Sequence, residues 1–274
     1  MDRVTHLLLT RFNVRWIVEP HDTAWLEHRF ALFDRFCFPS VRAQTSTAFR
    51  WLVFFDEDTP EPFRSRIEEY AEWPAFVPAF VGRPSASVFD DAVAAHLDGA
   101  SHLVTTRLDN DDAISRDFVD RVQHHVRPGA REFLNLPVGC VWRAGRVYRH
   151  EHPSNAFISL AEPADGFVTV WHARHEDAAD LAPVRQIEGG PAWLQVIHEH
   201  NVSNRVRGLR MRGDDVRDLF PVDLGGDGDG DSDVRMWVDR RLRHPSRMAR
   251  DRALRLAKPV RDAVERVTTP VRDR

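Results

Sequence analysis

Lysine is nearly absent from this chain. Of its 38 basic residues only Lys258 is a lysine, and it lies close to the C-terminal end. A phosphate-binding P-loop needs Gly-Lys-Ser/Thr and imine chemistry needs a buried lysine, so the body of the chain supports neither. Cysteine is scarce as well. Cys37 and Cys140 show no metal-ligand spacing, which reads as two reduced, buried thiols. The motifs Gly-x-Ser-x-Gly, Cys-x-x-Cys and His-Glu-x-x-His are missing. Long apolar runs are missing too: Trp51-Leu52-Val53-Phe54-Phe55 is among the longest, far short of a bilayer span. The first residues run straight into Leu7-Leu8-Leu9 without a signal-peptide pattern, so the expected location is cytoplasmic. Gly226, Gly228 and Gly230 alternate with Asp227, Asp229 and Asp231, whose charges repel a pyrophosphate; this is no dinucleotide loop. Position twelve of a calcium loop there would be Val238 and not Glu, which excludes that reading as well.

What is present is a chain of 274 residues, 42% hydrophobic and 10% aromatic, enough for one large core. Strand-like runs at 6–13, 49–55, 76–80 and 102–108 alternate with helical spacing over 23–36, 62–70, 87–97 and 115–125. Thr23 and Ser115 read as helix N-caps. Strand and helix in strict alternation predict an α/β fold, a mainly parallel sheet covered by helices on both faces. The second half differs. Short strands are predicted at 132–137, 138–143, 147–150, 155–160 and 166–172, with Ala144-Gly145 turning a hairpin. The expected layout is a donor half over 1–130 and an acceptor half over 131–222. A Gly/Asp linker over 223–234 and a basic tail over 235–274 follow.

The most informative residues are Asp109-Asn110-Asp111-Asp112, at the end of the fourth strand-like run. Carboxylates crowded at a strand tip repel unless a cation or hydrogen bonds compensate them. Asp109 and Asp111, one residue apart, suit a hard divalent ion that keeps waters and accepts phosphate oxygens. Ligands of such sheets bind beyond the carboxyl ends of the strands, where Asn13, Asp56 and Asp58 also fall. A turn or a helix cap is the plain alternative for each of these residues.

The segment Thr105-Thr106-Arg107-Leu108-Asp109-Asn110-Asp111-Asp112-Ala113 resembles the bacterial GT-A glycosyltransferase family called putative rhamnosyltransferases. So do Asn135-Leu136-Pro137 and Trp193-Leu194-Gln195-Val196-Ile197-His198 with Asn201 and Ser203-Asn204. Arg11-Phe12-Asn13 and the stretch from Trp51-Leu52-Val53 to Thr59-Pro60 fit the same order of blocks. The resemblance implies a GT-A-like, Rossmann-like sheet and sugar transfer from a nucleotide-linked donor, with Mn2+ or Mg2+; dTDP- and UDP-linked sugars are the first donors to try. It implies Asp109, Asp111 and His198 as metal residues. Arg11, Asn13, Asp56, Arg107 and Asp109 are the candidate donor-binding residues. Asp112 and Glu188 are the catalytic candidates, with Glu188 chosen over Glu162, Asp165 and Glu176 as the base an inverting reaction requires.

A competing account uses histidines. His172 with His175, and His198 with His200, offer imidazoles for a zinc or iron hydrolase. A GT-A-like module that binds without turnover is the other alternative. The tail adds a further expectation. Residues 235–274 hold 13 basic and 5 acidic residues, a surplus of eight, so a chain of net −4 leaves −12 on the remainder. Val260, Val264 and Val267 lie at helical spacing, which suits an anionic membrane surface and a glycan or lipid-linked acceptor. The acidic body carries no nucleic-acid module, so no nucleic-acid partner is expected.

Overall fold

Val4–Arg11 forms β1, whose run of leucines points alternately to the two faces of a sheet. A computed structural model describes residues 3–15, 22–199, 206–225 and 233–245. Helix α1 (Thr23–Leu32) follows, then a wider π turn at Phe33–Cys37 and helix α2 (Phe38–Arg42). The cap of α1 is Asp22, not Thr23: its carboxylate accepts the Trp25 N–H at 2.8 Å. The helical path runs on past residue 36, with the wider π turn placed just ahead of Pro39.

Strand β2 (Arg50–Asp56), helix α3 (Phe63–Ala71), strand β3 (Phe76–Val81), helix α4 (Ala86–Ala94) and strand β4 (His102–Arg107) complete the alternating half. Next come β5 (Ala113–Ile114), α5 (Phe118–His124), β6 (Glu132–Asn135), β7 (Val138–Arg143) and β8 (Arg146–Glu151). The described chain continues through β9 (Ser159–Pro163), α6 (Ala178–Leu181), β10 (Val184–Gln186), β11 (Trp193–Val196), β12 (Leu209–Met211), α7 (Asp214–Arg217) and α8 (Asp233–Val238). Other expectations fail locally. Ser115 does not cap α5; its hydroxyl donates to Asp117 at 2.6 Å, and Asp117 occupies the cap position. Residues 166–172 form no strand, because Gly166 and Thr169 both take positive φ, of 67° and 62°, and bend the chain.

Seven strands pair in the order β10-β6-β9-β4-β1-β2-β3. The β1–β2, β1–β4, β2–β3 and β6–β10 pairs are parallel, and only β9 runs against its neighbours. One face carries Leu8, Trp51, Val53 and Val104 against Phe30 of α1, Ile67 of α3 and Phe118 of α5. The other carries Leu7, Leu9, Leu52 and Leu103 against Phe89 of α4 and Ala178 of α6. The sheet is therefore mainly parallel, with helices on both faces. A second sheet, ordered β12-β8-β7-β11-β5, branches off beyond the tip of β4. The tail valines at 260, 264 and 267 and the glycines at 226, 228 and 230 lie outside the described residues.

Candidate active site

Parallel pairing puts the C-terminal ends of β1, β2 and β4 on one edge of the large sheet. The acidic segment leaves β4 there. Asn110 donates to the Phe12 carbonyl at 2.9 Å and so ties this segment to the exit of β1. Asp112 Oδ1 accepts the Val196 N–H at 2.8 Å, anchoring the end of β11. The chain then enters β5, which pairs antiparallel with β11 through Ala113–Leu194 and Ile114–Trp193. That short ladder carries residue 198 back beside residue 111. His198 Nε2 lies 2.8 Å from Asp111 Oδ2 across 87 positions of sequence.

The same carboxylate oxygen accepts a bond from Arg29 Nη1 at 2.6 Å, and that nitrogen also reaches Asn110 Oδ1 at 3.1 Å. His28 Nε2 stands 3.5 Å from His198 Nδ1. Burial pushes the Asp111 carboxyl upward, but the hydrogen bond from His198 and the charge of Arg29 outweigh it and the net shift is downward. Asp112 goes the other way. Burial first, and then the charges of Asp111 and Asp109, hold it well above the usual carboxylate range. Of two adjacent acids, one is kept ionised and the other is pushed toward neutrality.

The third acid faces elsewhere. Asp109 is partly exposed and pairs with Arg107 at 3.2 Å. Arg11, at the tip of β1, lies 5.0 Å over the Trp171 ring. Burial and the charge of neighbouring Arg107 lower the pKa of Arg11, while the charge of Asp109 opposes them. A cavity of about 70 Å³ opens beside them, lined by Arg11, Phe89, Asp90, Thr169, Trp171 and His172. At the tip of β2, Asn13 accepts the Asp56 N–H at 3.0 Å and donates to Thr59 at 3.0 Å. Arg15 holds Asp56 and reaches Asp58 at 2.8 Å.

Asp111 and His198 are thus brought together, and Arg11, Arg107 and Asp109 meet beside them. Glu188 is not part of this group. It is exposed beyond β10, three strands from β4, or about 14 Å at ordinary strand spacing. Glu162 sits opposite Leu103, near the start of β4, and binds Arg131 and the Val168 and Thr169 N–H groups. Asp165 is exposed, and exposed Glu176 pairs with Arg174. Arg29 and His28 were not singled out from the sequence. The available signal was an arginine beside the core residues Leu26 and Phe30 of an otherwise apolar helix stripe.

The resemblance implies a divalent ion. Among the described residues no group of three or more His, Cys, Asp or Glu side chains is placed to hold a metal ion. The zinc or iron set of His172, His175 and His198 is therefore not assembled, and His200 lies outside the described residues. Asp111 and His198 remain as an adjacent carboxylate and imidazole. One or two protein donors, completed by water and substrate phosphates, is the usual provision for Mg2+ or Mn2+, so the pair fits such an ion.

A family model described as "Putative rhamnosyl transferase" matches residues 17–210. The chain belongs to that family. The match spans β2 to β11 and takes in Arg29, the acidic segment and His198. No curated protein sequence matches the chain. Among solved structures, S. aureus TarS 1-349 in complex with UDP-GlcNAc is 10% identical, with a TM-score of 0.45 over 73% of this chain and 60% of that one. The mannosyltransferase PcManGT from Pyrobaculum calidifontis, in complex with GDP-Man and Mn2+, is 14% identical, with a TM-score of 0.41 over 73% and 58%. A putative nucleotide-diphospho-sugar transferase from Desulfovibrio desulfuricans G20 is 12% identical, with a TM-score of 0.37 over 72% and 81%. The chain spans about 60% of the length of the TarS 1-349 structures.

Proposed function

We propose that this family member transfers a glycosyl group from a nucleotide diphosphate sugar bound along the carboxyl edge of the seven-stranded sheet. The observation that carries the reading is the meeting of Asp111 and His198 at 2.8 Å beside the Arg11–Arg107–Asp109 cluster. A departing nucleoside diphosphate gains negative charge in the transition state, and catalysis requires fixed positive charge where water is excluded. Arg11 and Arg107 supply that charge at the tips of β1 and β4. Asp109 orients Arg107, and its charge offsets the repulsion between Arg107 and Arg11. Asn13 and Asp56, held by Thr59 and Arg15, lie at the tip of β2, where the nucleoside would be bound.

Asp111 and His198 are the residues that would hold a Mn2+ or Mg2+ ion, which when bound neutralises the developing diphosphate charge. Asp112 acts through position: by gripping the Val196 N–H it sets where His198 lies. Its carboxyl is buried and bonded to that N–H, which suits it poorly to take a proton from an acceptor. Glu188 remains the proposed base if the acceptor extends across the sheet toward β10. Rhamnose is the sugar that the family description suggests, with dTDP- or UDP-linked donors as the first panel. The acceptor is proposed to be a glycan or a lipid-linked glycan.

A basic tail fits an acceptor held at an anionic membrane surface. No described helix is long and apolar enough to cross a membrane. Trp237 and Leu242 are each 58% exposed at the start of the tail, where a bilayer interface would accept them.

A thermal-shift panel of nucleoside diphosphates and nucleotide sugars, with and without Mn2+, tests the reading. A ligand that binds only the folded state raises Tm, so the correct nucleotide is expected to stand out by several degrees. A flat response across dTDP, UDP and GDP and their sugars contradicts it.

A further inference from the structure

Arg29 occupies an unusual position in this site. Its Nη1 bonds the one oxygen of Asp111 that His198 also approaches, at 2.6 and 2.8 Å. The guanidinium lies 5.2 Å over the Trp25 ring, and the side chain is only 17% exposed. Its Nε is buried and finds no hydrogen-bond partner among the described residues. A buried donor left without a partner in an otherwise satisfied site points to a ligand or to a second arrangement of the side chain. Arginine is suited to both, because its planar fork can leave a carboxylate for a phosphate without losing charge-assisted bonds.

A divalent ion bound by Asp111 and His198 would meet the Arg29 cation at the same oxygen. Like charges repel, so ion and guanidinium compete for Asp111. A nucleoside diphosphate changes the balance, since its oxygens can take both cations at once. We propose that Arg29 is an exchangeable cation: it holds Asp111 while the donor is absent and passes to the donor diphosphate when a divalent ion takes the carboxylate. The inference rests on the transferase reading above. It makes metal and donor bind cooperatively, and by linkage each must tighten the other by the same factor.

The test is a pair of affinities measured on the metal-stripped full chain. Mn2+ is titrated by electron paramagnetic resonance with and without saturating UDP or dTDP, and each nucleotide is titrated by calorimetry. In the wild type, Mn2+ is expected to bind at least about ten-fold more tightly with the nucleotide than without it. Arg29→Met is expected to move the two affinities in opposite directions. Mn2+ alone tightens several-fold, the nucleotide weakens several-fold, and the coupling between them shrinks toward one. A merely structural arginine would weaken both together.

Because Arg29→Met removes a charge partner from a buried carboxylate, its melting curve is recorded too. Mn2+ is expected to raise its Tm more than it raises that of the wild type, and adding Asp111→Asn to the same variant is expected to abolish the difference. Arg29→Lys, which keeps a charge without the fork, is expected to restore the weak metal binding but not the nucleotide affinity. A folded Arg29→Met variant that binds Mn2+ no more tightly than the wild type overturns the exchange while leaving the transferase reading intact. Failure of the wild type to bind any nucleoside diphosphate overturns both.

Discussion

Asp111 and Asp112 are neighbours in sequence with opposite electrostatic fates, and substitutions should separate them. Asp111→Asn removes the charge that Arg29 and His198 both address. Donor turnover is expected to fall on the order of 10²-fold or more, measured as nucleoside diphosphate release, with the circular dichroism spectrum retained. Asp112 is held toward its neutral form and accepts one backbone N–H, a role that an amide oxygen fills equally well. Asp112→Asn is therefore expected to leave stability nearly unchanged. Asp112→Ala removes the bond to the Val196 N–H and is expected to cost about 1–3 kcal/mol in urea unfolding.

His6 supplies a pH dependence at the same scale. It is buried in β1 with Nε2 2.8 Å from Thr106 Oγ1, and burial lowers its pKa to about 3. The unfolded chain binds a proton near the ordinary value of about 6.5 that the folded chain refuses until about pH 3. Its contribution to stability is whole above pH 6.5 and is lost as pH falls through that window, by up to about 1.4 kcal/mol per unit. His6→Asn is expected to flatten the acid limb of the stability profile between pH 6 and 4. An unchanged limb would show that the imidazole is protonated at little cost in the fold.

Among the elements, the ones legible in the sequence are those whose signal is local. β1, β2 and β4 are apolar runs closed by polar residues, and α1, α3 and α4 carry their buried residues at helical spacing. β5, β10 and β12 are two or three residues long and exist only because distant partners pair with them, so nothing in their own residues announces them. β5 nonetheless decides the site, since its ladder with β11 returns His198 to Asp111. The acids at 109–112 were legible because repelling charges at a strand tip require an explanation. The cation that compensates Asp111 was not legible, because Arg29 arrives from helix α1, 82 positions away.

The second sheet offers its own test. Gly139 in β7 faces the Trp193 ring of β11 so closely that a Cβ there would lie 2.0 Å from the indole. Trp193 is buried and donates to the Leu136 carbonyl at 2.9 Å, so the ring cannot move aside cheaply. Gly139→Ala is expected to cost about 2–3 kcal/mol and, by displacing β11, to weaken nucleotide-dependent metal binding as well. A variant with normal Tm and normal Mn2+ affinity would mean that β11 does not set the position of His198.

For the whole molecule, the larger sheet brings the ends of β1, β2 and β4 to one edge, β11 of the second sheet returns His198 to it, and the tail carries charge of the opposite sign. The body carries −12 and residues 235–274 carry a surplus of eight positive charges. Binding to vesicles containing phosphatidylglycerol, and not to phosphatidylcholine alone, is expected to be lost in high salt and reduced by Trp237→Ala with Leu242→Ala. Equal pelleting with neutral vesicles would contradict a charge-guided surface.

The most direct measurement of the central claim is the slow hydrolysis of a nucleotide sugar in the absence of acceptor. The wild-type chain with Mn2+ is expected to release nucleoside diphosphate from a dTDP- or UDP-linked sugar well above background, and Asp111→Asn is expected not to. Release at the same rate by both proteins would contradict the placement of the chemistry at Asp111. No release by the wild type across the donors, despite tight nucleotide binding, would make this edge a binding site without turnover.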